Sequence, residues 1–224
     1  MIKLKKVSKN IKVKGEKQVI LHNINLEIEK GEFVSIMGPV GSGKSTLLSI
    51  MGLMHTGYNG EYYLDGQNMN DIKSREMSEI RNKKIGFIGQ EAHLLGKFNI
   101  LENIELPLLH KGHSAFKRNK LILSFLKDTH LRSKLDTYPI QISSGEKQLV
   151  IIARALADLP ELILADNPTN NLDHKMRTNV LTYLQKANDQ GSTVVIVTHE
   201  PQIVAASNRI LNLDLGRLKY TDAC

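Results

Sequence analysis

The stretch Gly38-Pro-Val-Gly-Ser-Gly-Lys-Ser-Thr46 decides the fold, because it matches the pattern G-x-x-x-x-G-K-[ST] in full. It follows a short apolar run, Phe33–Met37, that is typical of a buried strand, and it leads into a predicted helix over residues 44–54. Closely spaced glycines let backbone N–H groups close around phosphate oxygens, and the helix start adds partial positive charge. In this setting a chance glycine turn is the weaker interpretation. The stretch therefore predicts a site for nucleotide phosphates.

The residues of this stretch predicted to bind the nucleotide are Gly38, Pro39, Val40, Gly41, Ser42, Gly43, Lys44, Ser45 and Thr46. Lys44 is expected to reach the β- and γ-phosphates, and the Ser45 hydroxyl to ligate Mg²⁺. A second motif, Leu162-Ile-Leu-Ala-Asp166, is an apolar strand that ends in a carboxylate. A lone aspartate after a strand is more often a turn or helix-cap residue. Beside a phosphate loop it is predicted to hold Mg²⁺, mostly through water, because Mg²⁺ dehydrates reluctantly.

Strands and helices alternate along the rest of the chain. Strand patterns occupy residues 2–7, 19–29, 61–64, 85–88, 162–165 and 193–198. Helical patterns occupy residues 100–111, 114–127, 145–157 and 174–190. Because strands return between helices, we predict a mostly parallel sheet with helical crossovers, and the helical stretch 91–158 as an insertion between strands.

Composition limits the class of protein. The chain has 224 residues, 41% hydrophobic and 24% charged, which excludes long disorder, collagen-like repeats and a coiled coil. Its one cysteine, Cys224, excludes an internal disulfide framework and a cysteine zinc site. Apolar runs such as residues 149–153 and 194–197 are far shorter than the roughly 20 residues that span a bilayer, and lysines interrupt any N-terminal secretory signal. We therefore expect a cytoplasmic chain unless a partner holds it at a membrane.

The formal net charge is +7, and seven lysines fall within the first 17 residues. Such a run is compatible with binding to nucleic acid or anionic lipid headgroups. No aromatic side chains stand between these lysines to stack on bases. A solvated lysine-rich face is the favoured interpretation, and no nucleic-acid partner is expected.

Further motifs make the chain similar to a known family. The run Ile142-Ser-Ser-Gly-Glu-Lys-Gln148 resembles the L-S-G-G-Q signature of ABC ATPases. Gln90, Pro168-Thr169, Asn171-Leu-Asp173 and His199 resemble, in the family's order, its Q-loop, the residues after the aspartate, its D-loop and its switch histidine. The resemblance runs from Ile2 to Tyr220. The stretches that begin at Gln90 and Glu102 look like the lipoprotein-release, macrolide-export and cell-division group, whose ATPases pair with mechanotransmission-type permeases.

The resemblance implies an α/β fold of the P-loop NTPase (RecA-like) type. A parallel-sheet core would carry an antiparallel β subdomain and an inserted helical subdomain. We expect a single ABC ATPase domain over residues 1–224, with the core in 1–90 and 159–224 and the helical subdomain in 91–158.

It also implies a shared site. Two nucleotide domains would close head to tail around two ATP molecules. A homodimer is expected when ATP is bound, and an asymmetric heterodimer is the open alternative. The loop 38–46 of one chain would face Ser143, Gly145 and Glu146 of the other. Gln90 would contact Mg²⁺ and link the core to the helical block, where an integral-membrane permease docks on the inner face of the membrane. His199 would orient the γ-phosphate and the attacking water. The cofactors would be ATP and Mg²⁺.

The chain departs from the family pattern at positions that matter. Asn167 stands where the family has a catalytic glutamate, and loss of a general base typically costs about 10²–10⁴ in rate. We therefore expect ATP binding with slow turnover. Asn167 is either a natural or an engineered variant, although glutamine is the usual engineered choice. The other departures are Ser144 for glycine, Ile142 for leucine, Leu149 for arginine, and Ile11 for the aromatic residue that stacks on adenine.

Two alternatives to a transport motor stay open. An ATP-gated regulatory switch would bind ATP, dimerise and barely hydrolyse, and Asn167 favours it. At least residual turnover is favoured by the otherwise intact set of Gly38–Thr46, Gln90, Asp173 and His199. A soluble ABC protein that acts on DNA or ribosomes rests only on the positive charge. Such proteins generally carry two nucleotide domains or long coiled coils, and this chain shows neither.

Overall fold

The computed structural model describes residues 1–13, 15–90, 93–127, 129–170 and 172–220. The strands are β1 Ile2–Val13, β2 Glu16–Ile28, β3 Phe33–Met37, β4 Asn59–Leu64, β5 Gln67–Asn68, β6 Ile85–Ile88, β7 Leu162–Asp166, β8 Thr193–Val197, β9 Arg209–Asp214 and β10 Arg217–Tyr220. The α-helices are α1 Lys44–Met51, α2 Ser74–Lys84, α3 Ile100–His110, α4 Ala115–Phe125, α5 Ser144–Leu156, α6 His174–Asp189 and α7 Pro201–Ala205. Short 3₁₀ turns lie at Met69–Asp71, His130–Lys134 and Pro139–Gln141.

A six-stranded sheet forms the centre of the molecule, in the order β10-β9-β3-β8-β7-β6. All neighbouring pairs from β9 to β6 are parallel, and only β10 pairs antiparallel, with β9. Every residue of β7 and β8 is buried, as expected for parallel strands covered by helices on both faces. The predicted parallel sheet with helical crossovers, and with it the α/β fold class, is confirmed.

A second, antiparallel sheet has the order β2-β1-β4-β5. Along β2, Ile24, Leu26 and Ile28 are buried while their neighbours are exposed, which confirms the alternation seen in the sequence. Tyr62 on β4 is fully buried, and its hydroxyl donates to the Met51 carbonyl at 2.7 Å. This bond ties the antiparallel sheet to the end of α1, the helix that begins at the phosphate loop.

Helices α3, α4 and α5 lie between β6 and β7 in the chain, as the helical pattern predicted. Their apolar residues share one core with α6 and with one face of the central sheet. The subdomain boundaries at 91 and 158 stay a prediction. Among the described helices, none is long and apolar enough to cross a bilayer.

Several elements differ from the sequence prediction. Helix α1 ends at Met51, because Gly52 terminates it, and the predicted extension to 54 is wrong. Strand β1 continues to Val13 rather than ending at residue 7, because it forms a long hairpin with β2. The sequence patterns missed α2, α7, β9 and β10. The single cysteine, Cys224, and the first residue of the D-loop-like run, Asn171, lie outside the described residues.

Candidate functional site

The carboxyl ends of four neighbouring parallel strands build one edge of the central sheet. Asp166 is paired with Val197, and Val197 in turn with Ile36. Ala165 is paired with Ile88. This register brings the segments that follow β3, β8, β7 and β6 to the same edge, where open α/β sheets bind their ligands. The residues placed there are Gly38, His199, Asp166, Asn167 and Gln90.

The loop after β3 has a backbone that requires glycine. Gly38 and Gly43 have φ angles of 147° and 100°. A Cβ on Gly38 would overlap the Leu213 carbonyl, and one on Gly43 would lie 2.8 Å from the Ile20 carbonyl oxygen. Gly43 precedes α1, and no side chain among the described residues caps this helix start. The first N–H groups of α1 are therefore available to an anion.

Lys44 is held inside this loop and is only 8% exposed. Its Nζ donates to the carbonyl oxygens of Gly38 at 2.8 Å and Pro39 at 2.6 Å. Burial lowers the pKa of Lys44 from its ordinary value, and the negative charge of Asp166 partly offsets this effect. The loop thus contains an ordered cation whose charge is incompletely solvated. Around it, Ser42 is buried, Gly41 and Ser45 are exposed, Thr46 is half-buried, and Val40 is almost fully exposed.

Asp166 is the last residue of β7, and Asn167 follows it. Asp166 is 6% exposed, and its Oδ1 accepts a hydrogen bond from Asn167 Nδ2 at 3.1 Å. The Asn167 backbone N–H donates to the Val197 carbonyl at 2.8 Å, while its φ angle is 45°. Asparagine is one of the few residues that adopt this left-handed conformation readily. Asn167 therefore suits the backbone at this turn.

The arrangement fits a magnesium ion that is shared with nucleotide. No Lys, Arg or His side chain in the described ranges forms an ion pair with Asp166, so its buried carboxylate is left to another cation. The described part of the chain holds no group of three or more His, Cys, Asp or Glu side chains that could bind a metal without other ligands. Mg²⁺ ordinarily takes one or two carboxylates and completes its shell with phosphate oxygens and water. Ser45 and Gln90, both exposed, are the further candidate ligands.

His199 follows β8 and is exposed. Its neighbour Glu200 accepts from Arg177 Nη1 at 2.7 Å, and Arg177 Nε donates to the Leu172 carbonyl at 2.9 Å. Asp173 caps α6 by accepting from the Met176 N–H at 2.8 Å. These bonds join the segment after His199 to the segment before α6.

The signature run lies at the start of α5. Ser143 caps α5, and its Oγ accepts from the Glu146 N–H at 3.2 Å. In return, Glu146 Oε2 accepts from the Ser143 N–H at 2.8 Å. Ser143 and Ser144 are exposed, and Gly145 and Glu146 are buried. A further link joins α5 to the strand edge, since Gln148 Nε2 donates to the Pro168 carbonyl at 3.1 Å.

The departures from the family pattern have different structural settings. Ser144 is the first residue of α5 and has no positive φ, so a side chain there imposes no backbone strain. Ile142 and Leu149 are buried in the core of the helical stretch, where apolar side chains belong. Ile11 lies on β1 opposite Gln18 and is 40% exposed.

The sequence patterns missed the turn between β9 and β10 as part of the site. The Gly216 N–H donates to the Ser42 carbonyl at 3.2 Å, and the Gly216 carbonyl accepts from the His22 N–H at 2.8 Å. The turn therefore supports the phosphate loop from outside. The dipeptide Leu215-Gly216 was the only local signal for it.

A parallel sheet whose strand ends carry a glycine-rich loop, a buried lysine and a buried aspartate defines a nucleotide-binding protein of the P-loop class. The family described as "ABC transporter" matches residues 21–170. Together with the relatives below, this match shows that the chain belongs to the ABC transporter family, as an ATP-binding domain.

The chain is 44% identical over 218 residues to the macrolide export ATP-binding/permease protein MacB of Campylobacter jejuni, covering 97% of this chain and 33% of MacB. It is 44% identical over 224 residues to the ABC transporter ATP-binding protein MJ0796 of Methanocaldococcus jannaschii, covering 98% and 95% of the two chains. A solved dimeric structure of the MJ0796 cassette bound to ADP and Pi matches with a TM-score of 0.93 and 42% identity over 100% of both chains.

Proposed function

We propose that this chain binds Mg²⁺ and ATP, dimerises around ATP, and couples the nucleotide cycle to a membrane permease for export or extraction. The observation that carries the proposal is the loop 38–46 after β3, with Lys44 buried inside it and Asp166 at the end of β7, two strands away in the same sheet. Lys44 and the N–H groups of α1 would bind the phosphates. When bound, Mg²⁺ would neutralise phosphate charge between Ser45, Gln90 and Asp166.

Dimerisation would complete the site, because a single chain leaves it open. Ser143 and Ser144 are exposed at the start of α5, on a different element from the strand end that carries Asp166. A second copy placed head to tail would bring its Ser143, Gly145 and Glu146 to the γ-phosphate. The MJ0796 cassette, 42% identical, has been solved as a dimer, which supports this arrangement.

Turnover in this dimer is expected to be slow. The Asn167 amide has no lone pair basic enough to take a proton from water, and its Nδ2 already donates to Asp166. Its side-chain oxygen can still orient a water molecule, and His199 at the neighbouring strand end would do the same. This reasoning also supports the second candidate function, an ATP-gated switch with negligible turnover.

The permease would bind in a groove of about 370 Å³ between α2, β6, α3 and α5. Its lining includes Arg81 and Arg154, whose guanidinium groups donate to the backbone carbonyls of Leu53 and His93. Neither arginine forms an ion pair within the described ranges, whereas Asp158 in the same lining is paired with Lys111 at 2.9 Å. The groove thus has surplus positive charge, and it would take a cytoplasmic permease segment that carries acidic side chains.

Sedimentation of the chain with membranes tests whether the groove binds the permease. Arg81→Glu is expected to reduce the fraction of the chain that sediments with membranes of the source cell. Arg75→Glu is the matched control, because Arg75 lies on the same helix, outside the groove, with a 94% exposed side chain. Equal recovery of both variants would contradict this docking site.

Light scattering of the purified chain tests the core of the proposal. Mg²⁺ and ATP are expected to convert the parent into dimers, and Lys44→Ala is expected to stay monomeric. A parent that stays monomeric with saturating ATP would contradict the proposed function. Parent turnover above about a tenth of the rate of Asn167→Glu would favour the transport motor, and a stable dimer with negligible turnover the switch.

A further inference from the structure

A buried carboxylate lies beside the serine that caps α5. Glu146 is 6% exposed, and its Oε1 accepts from Lys134 Nζ at 2.6 Å. His130 Nε2 lies 3.1 Å from the same oxygen. The other carboxylate oxygen, Oε2, accepts from the Ser143 N–H. Lys134, His130, Glu146 and Ser143 therefore form one network, and the lysine and the histidine both come from the turn His130–Lys134.

Under the proposed function, the carboxylate of Glu146 would lie close to a phosphate of the same charge sign. The start of α5 would face the γ-phosphate of the partner copy's ATP, and a carboxylate there repels phosphate. Burial alone would raise the pKa of Glu146, but hydrogen bonds from Lys134 and Ser143 lower this pKa to about 2. Glu146 is thus charged at neutral pH. ATP can bind beside it only if another group compensates that charge.

The reciprocal cap bonds at the start of α5 do not require a lysine or a histidine beside the carboxylate. Helix α3 begins with the same reciprocal pair of bonds, in which Asn99 and Glu102 each accept from the other's N–H at 2.8 Å. Glu102 is exposed, and no described cation pairs with it. The two cap motifs therefore differ around the carboxylate: at α5 it is buried, and Lys134 and His130 both lie within hydrogen-bond distance of it. This difference points to a role for Lys134 beyond helix capping.

We propose that Lys134, assisted by His130, is a positioning residue for the shared ATP site. Lys134 neutralises Glu146 and fixes its carboxylate, so that Ser143 and the first N–H groups of α5 can accept the phosphate of the partner copy's ATP. Lys134 acts through Glu146 and does not itself touch the nucleotide. The inference rests on the proposed ATP-dependent dimer.

A double-mutant cycle on the full chain tests this role. The readout is the ATP concentration at which half of the protein is dimeric, followed by light scattering with Mg²⁺. Lys134→Met is expected to raise this concentration about tenfold, which corresponds to roughly 1.4 kcal/mol. In the Glu146→Gln background the same substitution is expected to change it less than about twofold, because the carboxylate that needs compensation is gone.

Two controls separate charge compensation from folding. Lys84→Met removes another lysine whose Nζ lies 2.6 Å from a carboxylate, that of Asp65, and it should leave dimerisation unchanged. Lys134→Arg should restore dimerisation, since it keeps the charge. Unfolding temperatures without nucleotide verify that each variant is folded, and Lys134→Gln replaces Lys134→Met if the latter is not.

The outcomes are distinguishable. If the parent dimerises and Lys134→Met matches it, Lys134 has no role in the site and the inference is wrong. If Lys134→Met weakens dimerisation equally in both backgrounds, the lysine does not act through Glu146, and the inference is again wrong. If neither the parent nor Glu146→Gln dimerises with ATP, the proposed function itself fails, and this inference with it.

Discussion

Replacing Asn167 with glutamate is expected to raise ATP turnover and to lower the stability of the nucleotide-free chain. A carboxylate at this position can accept a proton from the attacking water, which the amide cannot. Restoring a general base is worth about 10²–10⁴ in rate, or roughly 3–5 kcal/mol of activation free energy. The gain should require the phosphate loop, so the additional variant Lys44→Ala should return turnover to the background.

The stability cost follows from two features of the turn. Asn167 has a φ angle of 45°, and glutamate tolerates this conformation less well than asparagine, by about 1 kcal/mol. The substitution also replaces the Nδ2 donor, 3.1 Å from Asp166 Oδ1, by a second carboxylate, which adds repulsion on the order of 1 kcal/mol. A loss of about 2 kcal/mol corresponds to a drop of roughly 4–8 °C in unfolding temperature for a chain of this size. Mg²⁺ should reduce the repulsive part.

The assay pairs steady-state phosphate release with thermal unfolding, each with and without Mg²⁺. Asn167→Gln is the matched control, because it keeps an amide and gives up the left-handed preference. It should lose about 1 kcal/mol of stability and gain no turnover. A parent that hydrolyses ATP as fast as Asn167→Glu would refute the reasoning on turnover. Equal unfolding temperatures for the parent and both variants would refute the reasoning on the backbone.

Three further predictions follow from the site. Lys44→Ala should abolish binding of a fluorescent ATP analogue, because it removes the cation inside the loop, and retained affinity would contradict this role. Gly38→Ala should lower the free energy of unfolding in urea by about 2 kcal/mol or more, since its Cβ meets the Leu213 carbonyl. Gly41→Ala, with open space around its Cβ, should cost less. Glu146 has its pKa lowered from 4.5 to about 2, so its charge stabilises the fold above pH 4.5, and this contribution disappears as the pH falls toward 2. Urea titrations should show the parent's advantage over Glu146→Gln shrinking across that range.

Sequence patterns predicted best those elements whose local signal agrees with their burial. The helices at 100–111, 145–157 and 174–190 end within one or two residues of their predicted bounds, because each has an apolar face that packs on the core. Helix α2 was missed because Met77 is its one buried residue, and a single apolar position has no period.

Two hairpin turns of nearly the same geometry differ in how clearly the sequence indicates them. An Asp-Gly dipeptide is typical of a tight turn, and Asp65-Gly66 between β4 and β5 has φ angles of 51° and 81°. The turn between β9 and β10 has nearly the same geometry, with φ angles of 46° at Leu215 and 72° at Gly216. Leucine rarely adopts a positive φ, so the dipeptide Leu215-Gly216 was too weak a signal to predict this hairpin. Tertiary context imposes it, since Gly216 forms hydrogen bonds with Ser42 in the phosphate loop and with His22 on β2.

Motif spacing predicted which residues reach the strand edge, but it could not predict the network around Glu146. Lys134 lies 12 residues before Glu146, on a 3₁₀ turn that no sequence pattern indicated.

In the proposed homodimer, the positions at which the chain departs from the family pattern would be divided between the two copies. Each shared site would combine Asn167 of one copy with Ser144 and Glu146 of the other, so both sites would be equivalent. Slow turnover would then affect both ATP molecules, and the dimer would open only after hydrolysis or loss of either one. In the proposed assembly, the lifetime of the ATP-bound dimer is therefore the quantity that Asn167 controls.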